Sequence, residues 1–409
     1  MDFPSNPELT AKTVDLPNGP VMADEPVHIE IHDTPDALRA LEAEWRALET
    51  RVADGLGYFQ TYDWCASWCS FYLEGAGDIS ARKLQLVTIR RTGQLACIIP
   101  LMQENRALGL KLHRSIGAPL TQYSNILLDT AVLPIAEMRL CWKDLCQRFD
   151  SDAILLKRFP QASQIAAILD EDNIDRETEE VSLVMKLDTI ESWKPFQDSF
   201  SKSVRRGRRR RFQKIERELG EVKLEVHFGG TDAYRKAIPQ ALDFKRKWLK
   251  ESGRNMAAFS GPNVAEFLMA LQGDSAAREG ALVYILTAGG KPIAIELGFI
   301  QQRHYYCFLG SFDWDHRNYS AGKVQMEQSL KWAIEHQLPM IDYLGNYEAY
   351  QGDWSNDTVA MASYRAALTR KGRLYIGLWD RHLKPGAKVA FRRLPGAIRK
   401  SLIAALSGR

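Results

Sequence analysis

The sequence predicts a mixed α/β (α+β) chain made of two copies of one unit. Three observations carry that expectation. Predicted strands and helices follow nearly the same order in both halves. The two cleanest hairpins superpose when Leu95-Ala96 is set on Ile293-Ala294, an offset of 198 in a chain of 409 residues. The 45% hydrophobic content over that length suffices for two cores without disulfide or metal support.

In the first half, residues 1–25 carry Pro4, Pro7, Pro17 and Pro20 with no apolar period and read as a flexible tail. Val27–Ile31 predicts a strand. Asp33-Thr34-Pro35 then starts a helix with Leu38, Leu41, Trp45 and Leu48 at helical spacing. Tyr62–Tyr72 predicts an aromatic-rich helix. Leu84–Arg90 and Leu95–Met102 form a hairpin about the turn Arg91-Thr92-Gly93-Gln94. Leu110–Ile116 and Asn125–Leu128 are shorter strands. Ile135–Phe149 predicts a helix, and Ala153–Phe159 and Val181–Leu187 predict strands.

The second half repeats the pattern. Helices are expected over about Ser203–Leu219 and Asp232–Leu249, with a strand at Val222–Phe228 between them. A hairpin follows, Ala281–Thr287 and Pro292–Ile300 about Gly289-Gly290-Lys291, then a strand at His304–Leu309. A loop from Gly310 to Gly322 leads to a helix over about Lys323–His336 and a strand at Met340–Leu344.

Composition excludes several classes. No run approaches the roughly 18 apolar residues of a membrane span. Met1-Asp2-Phe3-Pro4 lacks the basic and apolar segments of a signal peptide, so a cytoplasmic protein is expected. The cysteines (Cys65, Cys69, Cys97, Cys141, Cys146 and Cys307) have neither the density of a disulfide scaffold nor a spacing that completes a zinc site. They are expected as buried thiols, and no metal is expected.

Charge is distributed unevenly. Residues 201–216 hold eight Lys/Arg against Glu216 alone, and residues 381–409 hold eight more with no acid. Taking +7 and +8 from the net +3 leaves −12 on the rest. Two basic patches on an acidic body suggest an anionic partner.

The stretch from His304 to Trp354 carries the chemistry. Strand, glycine-containing loop and helix start form an anion site on physical grounds, because the first turn of a helix leaves N–H groups unpaired and positive. Gly322 lets a phosphate approach the backbone, and Ser320 and Lys323 add a hydroxyl and a charge. The plain alternative is a helix cap at Ser320.

The sequence Arg317-x-x-Ser320-x-Gly322, between a strand and a long helix, resembles the pyrophosphate-binding motif of the GNAT acyltransferase superfamily. More closely, the chain resembles the CelD-type acyltransferases associated with bacterial cellulose and exopolysaccharide biosynthesis. The resemblance rests on Phe312-Asp313, Tyr319-Ser320-Ala321-Gly322, Lys331-Trp332-Ala333, Ile341-Asp342-Tyr343-Leu344-Gly345 and Glu348-Ala349-Tyr350 with Trp354. Phe59, Trp64 and Ile99-Pro100-Leu101 also fit. Ser320 replaces the motif's first glycine, and Gln351 stands where relatives often have lysine.

The resemblance implies two tandem GNAT-like domains, 26–188 on the structural or acceptor side and 189–375 for donor binding and catalysis, with a 376–409 extension. Each would hold a mixed, mostly antiparallel sheet with a splayed central strand pair flanked by helices. The donor would be acyl-CoA or an acyl carrier protein, bound by Arg317, Ser320, Ala321, Gly322 and Lys323. Glu348 is the expected base and Tyr350 the expected acid, with Asp342 or Asp313 orienting either. Glu296, His304 and His316 are weaker candidates, Glu296 reading more readily as a solvent-facing strand residue.

The acceptor is then an amine or hydroxyl of an envelope lipid or glycan precursor. The bacterial ceramide synthases are similar at superfamily level. A non-catalytic module of a polysaccharide synthase and a Fem-like aminoacyl-tRNA-dependent transferase are the competing classes. The basic cluster Arg205–Arg211 lacks interleaved aromatics for base stacking, which argues against nucleic acid. Residues 381–409, with Ile398, Leu402 and Leu406 on one predicted helical face after Pro395, suit an anionic membrane surface, peripheral at the inner leaflet.

Overall fold

A computed structural model describes residues 26–52, 57–74, 81–169, 175–254, 257–259, 261–345, 354–383 and 386. The expected tail 1–25 and the Pro395–Leu406 helix lie outside the described residues.

The first half runs β1 (Val27–His32), α1 (Pro35–Ala40), α2 (Glu42–Arg51), α3 (Tyr62–Cys69), β2 (Arg82–Arg91), β3 (Gln94–Arg106) and β4 (Leu110–Ser115). It continues through β5 (Leu127–Leu128), α4 (Ile135–Arg148), β6 (Ala153–Pro160), α5 (Gln164–Leu169) and β7 (Asp175–Lys186). After α6 (Trp193–Asp198), the second half opens with α7 (Lys202–Leu219), β8 (Val222–Phe228), α8 (Asp232–Ser252), α9 (Val264–Ala270) and β9 (Gly273–Asp274). It then runs β10 (Glu279–Ala288), β11 (Lys291–Gln301), β12 (His304–Phe312), α10 (Ala321–Glu335), β13 (Met340–Asp342), β14 (Asp357–Ala367) and α11 (Arg370–Leu374).

Local chemistry sets the helix ends. The Ser201 and Thr231 hydroxyls accept the Val204 and Tyr234 amides at the starts of α7 and α8, satisfying donors the helix itself leaves open. Helix α8 stops at Gly253, whose φ of 64° is left-handed.

The fourteen strands among the described residues form one sheet in the order β1-β2-β3-β4-β6-β14-β7-β13-β12-β11-β10-β8, with β5 on β3 and β9 on β10. The order is nearly a palindrome. Strands β1, β2, β3, β4 and β6 match β8, β10, β11, β12 and β13, and only β4–β6 and β12–β13 are parallel pairs. The centre breaks the simple repeat: β7 leaves the first half to pair with β13, and β14 leaves the second half to pair with β6. Each half thus completes the other's sheet.

The halves also share a core. Tyr58 stacks on Phe299 with ring centres 4.0 Å apart, and the Trp64 ring meets Phe267 edge-on at 4.9 Å. Each large buried side chain of this kind contributes roughly 1.5–3 kcal/mol, so the contact is substantial. A second core lies under α4 and a third under α10.

Strand β14 has no counterpart in the sequence reading. Four alanines among its eleven residues give it little strand propensity of its own, and pairing on both sides with β6 and β7 makes it a strand. The expected helix Tyr62–Tyr72 is also divided, changing after Cys69 to a wider turn over Ser70–Glu74.

Candidate active site

Strands β12 and β13 touch over only three residue pairs, His304↔Met340, Tyr305↔Ile341 and Tyr306↔Asp342. Beyond Tyr306, β12 continues to Phe312 bonded to β11 on its other side. Among the described residues, its edge toward β13 has no strand partner from Cys307 onward. A bulge falls at this point: Leu297 pairs Leu309 while Gly298 pairs Cys307, leaving Phe308 as the extra residue. A bulge bends its strand and re-aims the backbone. The result is a V with an open backbone edge, able to accept the amides of an extended ligand as another strand would.

The start of α10 lies beyond the same end of β12. A 3₁₀ turn over Trp314–Tyr319 leads to Ser320, whose φ of 55° and ψ of 40° are left-handed. Glycine adopts that conformation without steric cost, which gives a physical sense to the glycine expected at this place in the motif. The Ser320 carbonyl accepts the Lys323 and Val324 amides, and its hydroxyl makes no cap bond. Helix α10 begins at Ala321, two residues before its expected start. Gly322 sits in its first turn, where an added Cβ would meet only Phe312 at 3.7 Å. The fold therefore has room for a side chain there.

Lysines from two helices hold the segment before α10. Lys247 bonds Asp315 at 2.6 Å, Lys245 donates to the Gly310 carbonyl at 3.1 Å, and Lys214 lies 4.8 Å from the centre of the Tyr319 ring. Arg317 and Lys323 are exposed, Arg317 donating to the Trp314 carbonyl at 3.2 Å. Asp313 uses both oxygens locally: Oδ1 accepts the Asp315 amide and Oδ2 meets His316 Nδ1 at 2.9 Å. This places Asp313 and His316 as a cap on the turn.

Asp342, the last residue of β13, is fully buried. Its Oδ1 accepts three bonds, from Tyr123 Oη at 2.6 Å, Ser182 Oγ at 2.7 Å and the Leu344 amide at 2.7 Å. Its Oδ2 is buried with no hydrogen-bond partner among the described residues. Burial outweighs these donors and holds the carboxyl above its usual range, favouring the neutral acid. Tyr123 and Ser182 both belong to the first half, and no local pattern in the sequence connects them with Asp342.

Glu296 is not the solvent-facing residue its place on β11 suggested. It is buried, accepts from Tyr305 Oη at 2.7 Å and is held above its usual range by desolvation. The corresponding V of the first half, between β4 and β6, is bordered by its own loop. Ser115 Oγ donates to Ser124 Oγ at 2.7 Å, and the buried Leu120 and Tyr123 lie on that loop. Glu348 and Tyr350 lie outside the described residues.

A cleft of about 560 Å³ opens elsewhere, between the chain before α7 and Trp354, lined in part by Met185, Ile190, Phe196 and Phe200. The buried Arg208 guanidinium lies 3.5 Å from the Trp354 ring centre and 3.9 Å from that of Phe200. Among the described residues no group of three His, Cys, Asp or Glu side chains is placed to hold a metal, and no helix is long and apolar enough to cross a membrane.

Residues 202–352, the segment containing the V and α10, match the family described as Acetyltransferase (GNAT) domain. That segment is a GNAT-like domain, and the sheet repeats its strand order in the first half. Among solved structures, FemX aligns over 86% of this chain and 99% of its own, with a TM-score of 0.57 and 10% identity. A tandem GNAT protein from the clavulanic acid biosynthesis pathway aligns over 84% and 99%, with a TM-score of 0.43 and 12% identity. The C-terminal domain of a putative lysylphosphatidylglycerol synthetase from Agrobacterium fabrum aligns over 81% and 95%, with a TM-score of 0.46 and 10% identity. No curated protein matches the chain.

Proposed function

We propose that the tandem GNAT-like chain is an acyltransferase of CelD type. It moves an acyl group from acyl-CoA to an amine or hydroxyl of an envelope lipid or glycan precursor. The observation that carries this reading is the V between β12 and β13, open along the β12 edge among the described residues and followed by the start of α10 with Gly322 in its first turn. An acyl thioester of CoA has the matching parts: a pantetheine arm with amides for a strand edge and a diphosphate for a helix start. GNAT folds normally take acyl-CoA without a metal.

In the proposed reaction the acceptor nitrogen or oxygen attacks the thioester carbonyl, the C–S bond breaks and the thiolate leaves. Glu348 takes the acceptor's proton and Tyr350 returns one to the thiolate. Asp342 fixes the end of β13 beside the reacting carbonyl. Backbone N–H groups at the Phe308 bulge stabilise the oxyanion.

The test is release of free thiol from acetyl-CoA and palmitoyl-CoA in the presence of a long-chain base or an amino sugar. Acceptor-dependent release supports the reading, and its chain-length preference separates glycan from ceramide-synthase-like chemistry. A second reading, Fem-like aminoacyl transfer, is favoured by the exposed Arg206, Arg209 and Arg210 on α7. It requires binding of charged tRNA that falls steeply with salt.

A further inference from the structure

We infer that a face built by α11, the helical turn after it and the β3–β4 turn docks on an anionic lipid bilayer. The inference is independent of the acyl-transfer reading. After α11, the chain winds more widely from Tyr375 to Leu383. At i→i+5 winding, residues 374, 378, 379 and 383 share one side. All four are large and apolar (Leu374, Leu378, Trp379 and Leu383), and each is about half exposed or more. The opposite side is held down: Ile376 is buried with Leu110, Leu112, Ala153 and Leu155. Gly372 lies so close to the Asp152 carbonyl that no side chain fits there. The helix is therefore anchored by one face and offers the other.

A second element joins this face. The turn between β3 and β4 raises Leu108 on a left-handed φ of 60°, with 96% of its surface in solvent. The next residue, Gly109, sits against Lys371, its Cβ position 3.7 Å from Nζ. A leucine held out on a tight turn and a helical row including a tryptophan together make a surface that enters the acyl boundary of a membrane.

Charge selects the occupant. Arg370 and Arg373 are exposed on α11, and the exposed Lys371 pairs with Asp152 at 3.4 Å. Residues 384–409 carry seven more Lys/Arg and no acid, which adds to the positive charge of this end of the chain. An apolar surface rimmed by cations matches anionic lipid, to which each basic residue near the surface adds attraction.

The test is co-sedimentation of the full chain with vesicles of phosphatidylcholine alone and of phosphatidylcholine mixed with phosphatidylglycerol. Binding at least about tenfold stronger to the anionic vesicles is expected. The triple variant Leu108→Ser, Leu374→Ser, Trp379→Ser should lose about tenfold of it with an unchanged melting temperature. Arg370→Glu with Arg373→Glu should weaken binding without touching the apolar row. No vesicle binding, or equal binding by the triple variant, overturns the inference. So does a wild-type dimer that the triple variant dissolves, since a second copy would then own the face.

Discussion

Tyr123 in the first half donates its hydroxyl to Oδ1 of Asp342 in the second half at 2.6 Å, across 219 positions of sequence. Ser182, on the strand the first half lends to β13, bonds the same oxygen. The carboxyl at the base of the V is thus held by the partner unit, which gives the first half a direct part in shaping the site. Truncating the carboxyl strands three buried donors, whereas an amide keeps an acceptor at Oδ1. Asp342→Ala is expected to cost about 3–5 kcal/mol of unfolding free energy and Asp342→Asn less than half of that. Urea denaturation of the two variants checks the ratio.

The same residue predicts a pH signature. Its folded-state pKa is raised by burial, so its contribution to stability is fully present below the ordinary carboxylate range and is lost as pH rises through the raised value. Asp342→Asn should flatten that part of the stability–pH curve. A curve parallel to the wild type would contradict a carboxyl whose pKa is raised by burial.

Glu49 gives an independent case at the first half's edge. Its carboxylate accepts the Tyr62 amide at 2.6 Å, yet desolvation pushes its pKa up to about 7 from an ordinary 4.5. Protonation favours the fold, so this contribution is complete below pH 4.5 and gone above pH 7. Glu49→Gln should therefore gain about 1–3 kcal/mol over the wild type at pH 8 and almost nothing at pH 4.5. Thermal melts at the two pH values decide it.

Arg208 is the one arginine of the basic run that α7 buries. Its guanidinium lies over the Trp354 and Phe200 rings and acts electrostatically on Glu327, so it contributes packing, cation–π contact and charge. Arg208→Ala is expected to cost about 2 kcal/mol, and Arg209→Ala, on the exposed side, within about 0.5 kcal/mol of nothing. Comparable losses from both would contradict this division of the run.

Local patterns in the sequence account for much of the fold. The hairpins β2–β3 and β10–β11 announce themselves by apolar runs about glycine turns, and their repetition at half the chain length gives the tandem arrangement. Strand β14 was hidden because its alanines carry no strand signal and its pairing comes from distant neighbours. The exchange of β7 and β14 was hidden for the same reason, since a sequence pattern says that a strand forms but not which edge it joins.

In the site, Gly322 and its helix were legible because strand, loop and helix start are contiguous. The Asp342 environment was not, because Tyr123 and Ser182 reach it only through tertiary structure. Glu296 misled for a related reason: a carboxylate interrupting an apolar strand reads as solvent-facing, but α10 covers it in the fold.

The central claim is that the start of α10 binds the phosphates of a CoA thioester, and Gly322 tests it most directly. An added side chain there meets only Phe312 at ordinary contact distance, so Gly322→Glu should fold with a melting temperature within about 2 °C of the wild type. Calorimetric titration with CoA and palmitoyl-CoA is predicted to give saturable binding to the wild type and at least a hundredfold loss, about 2.7 kcal/mol or more, in Gly322→Glu. Equal CoA affinity in the two proteins would contradict the account.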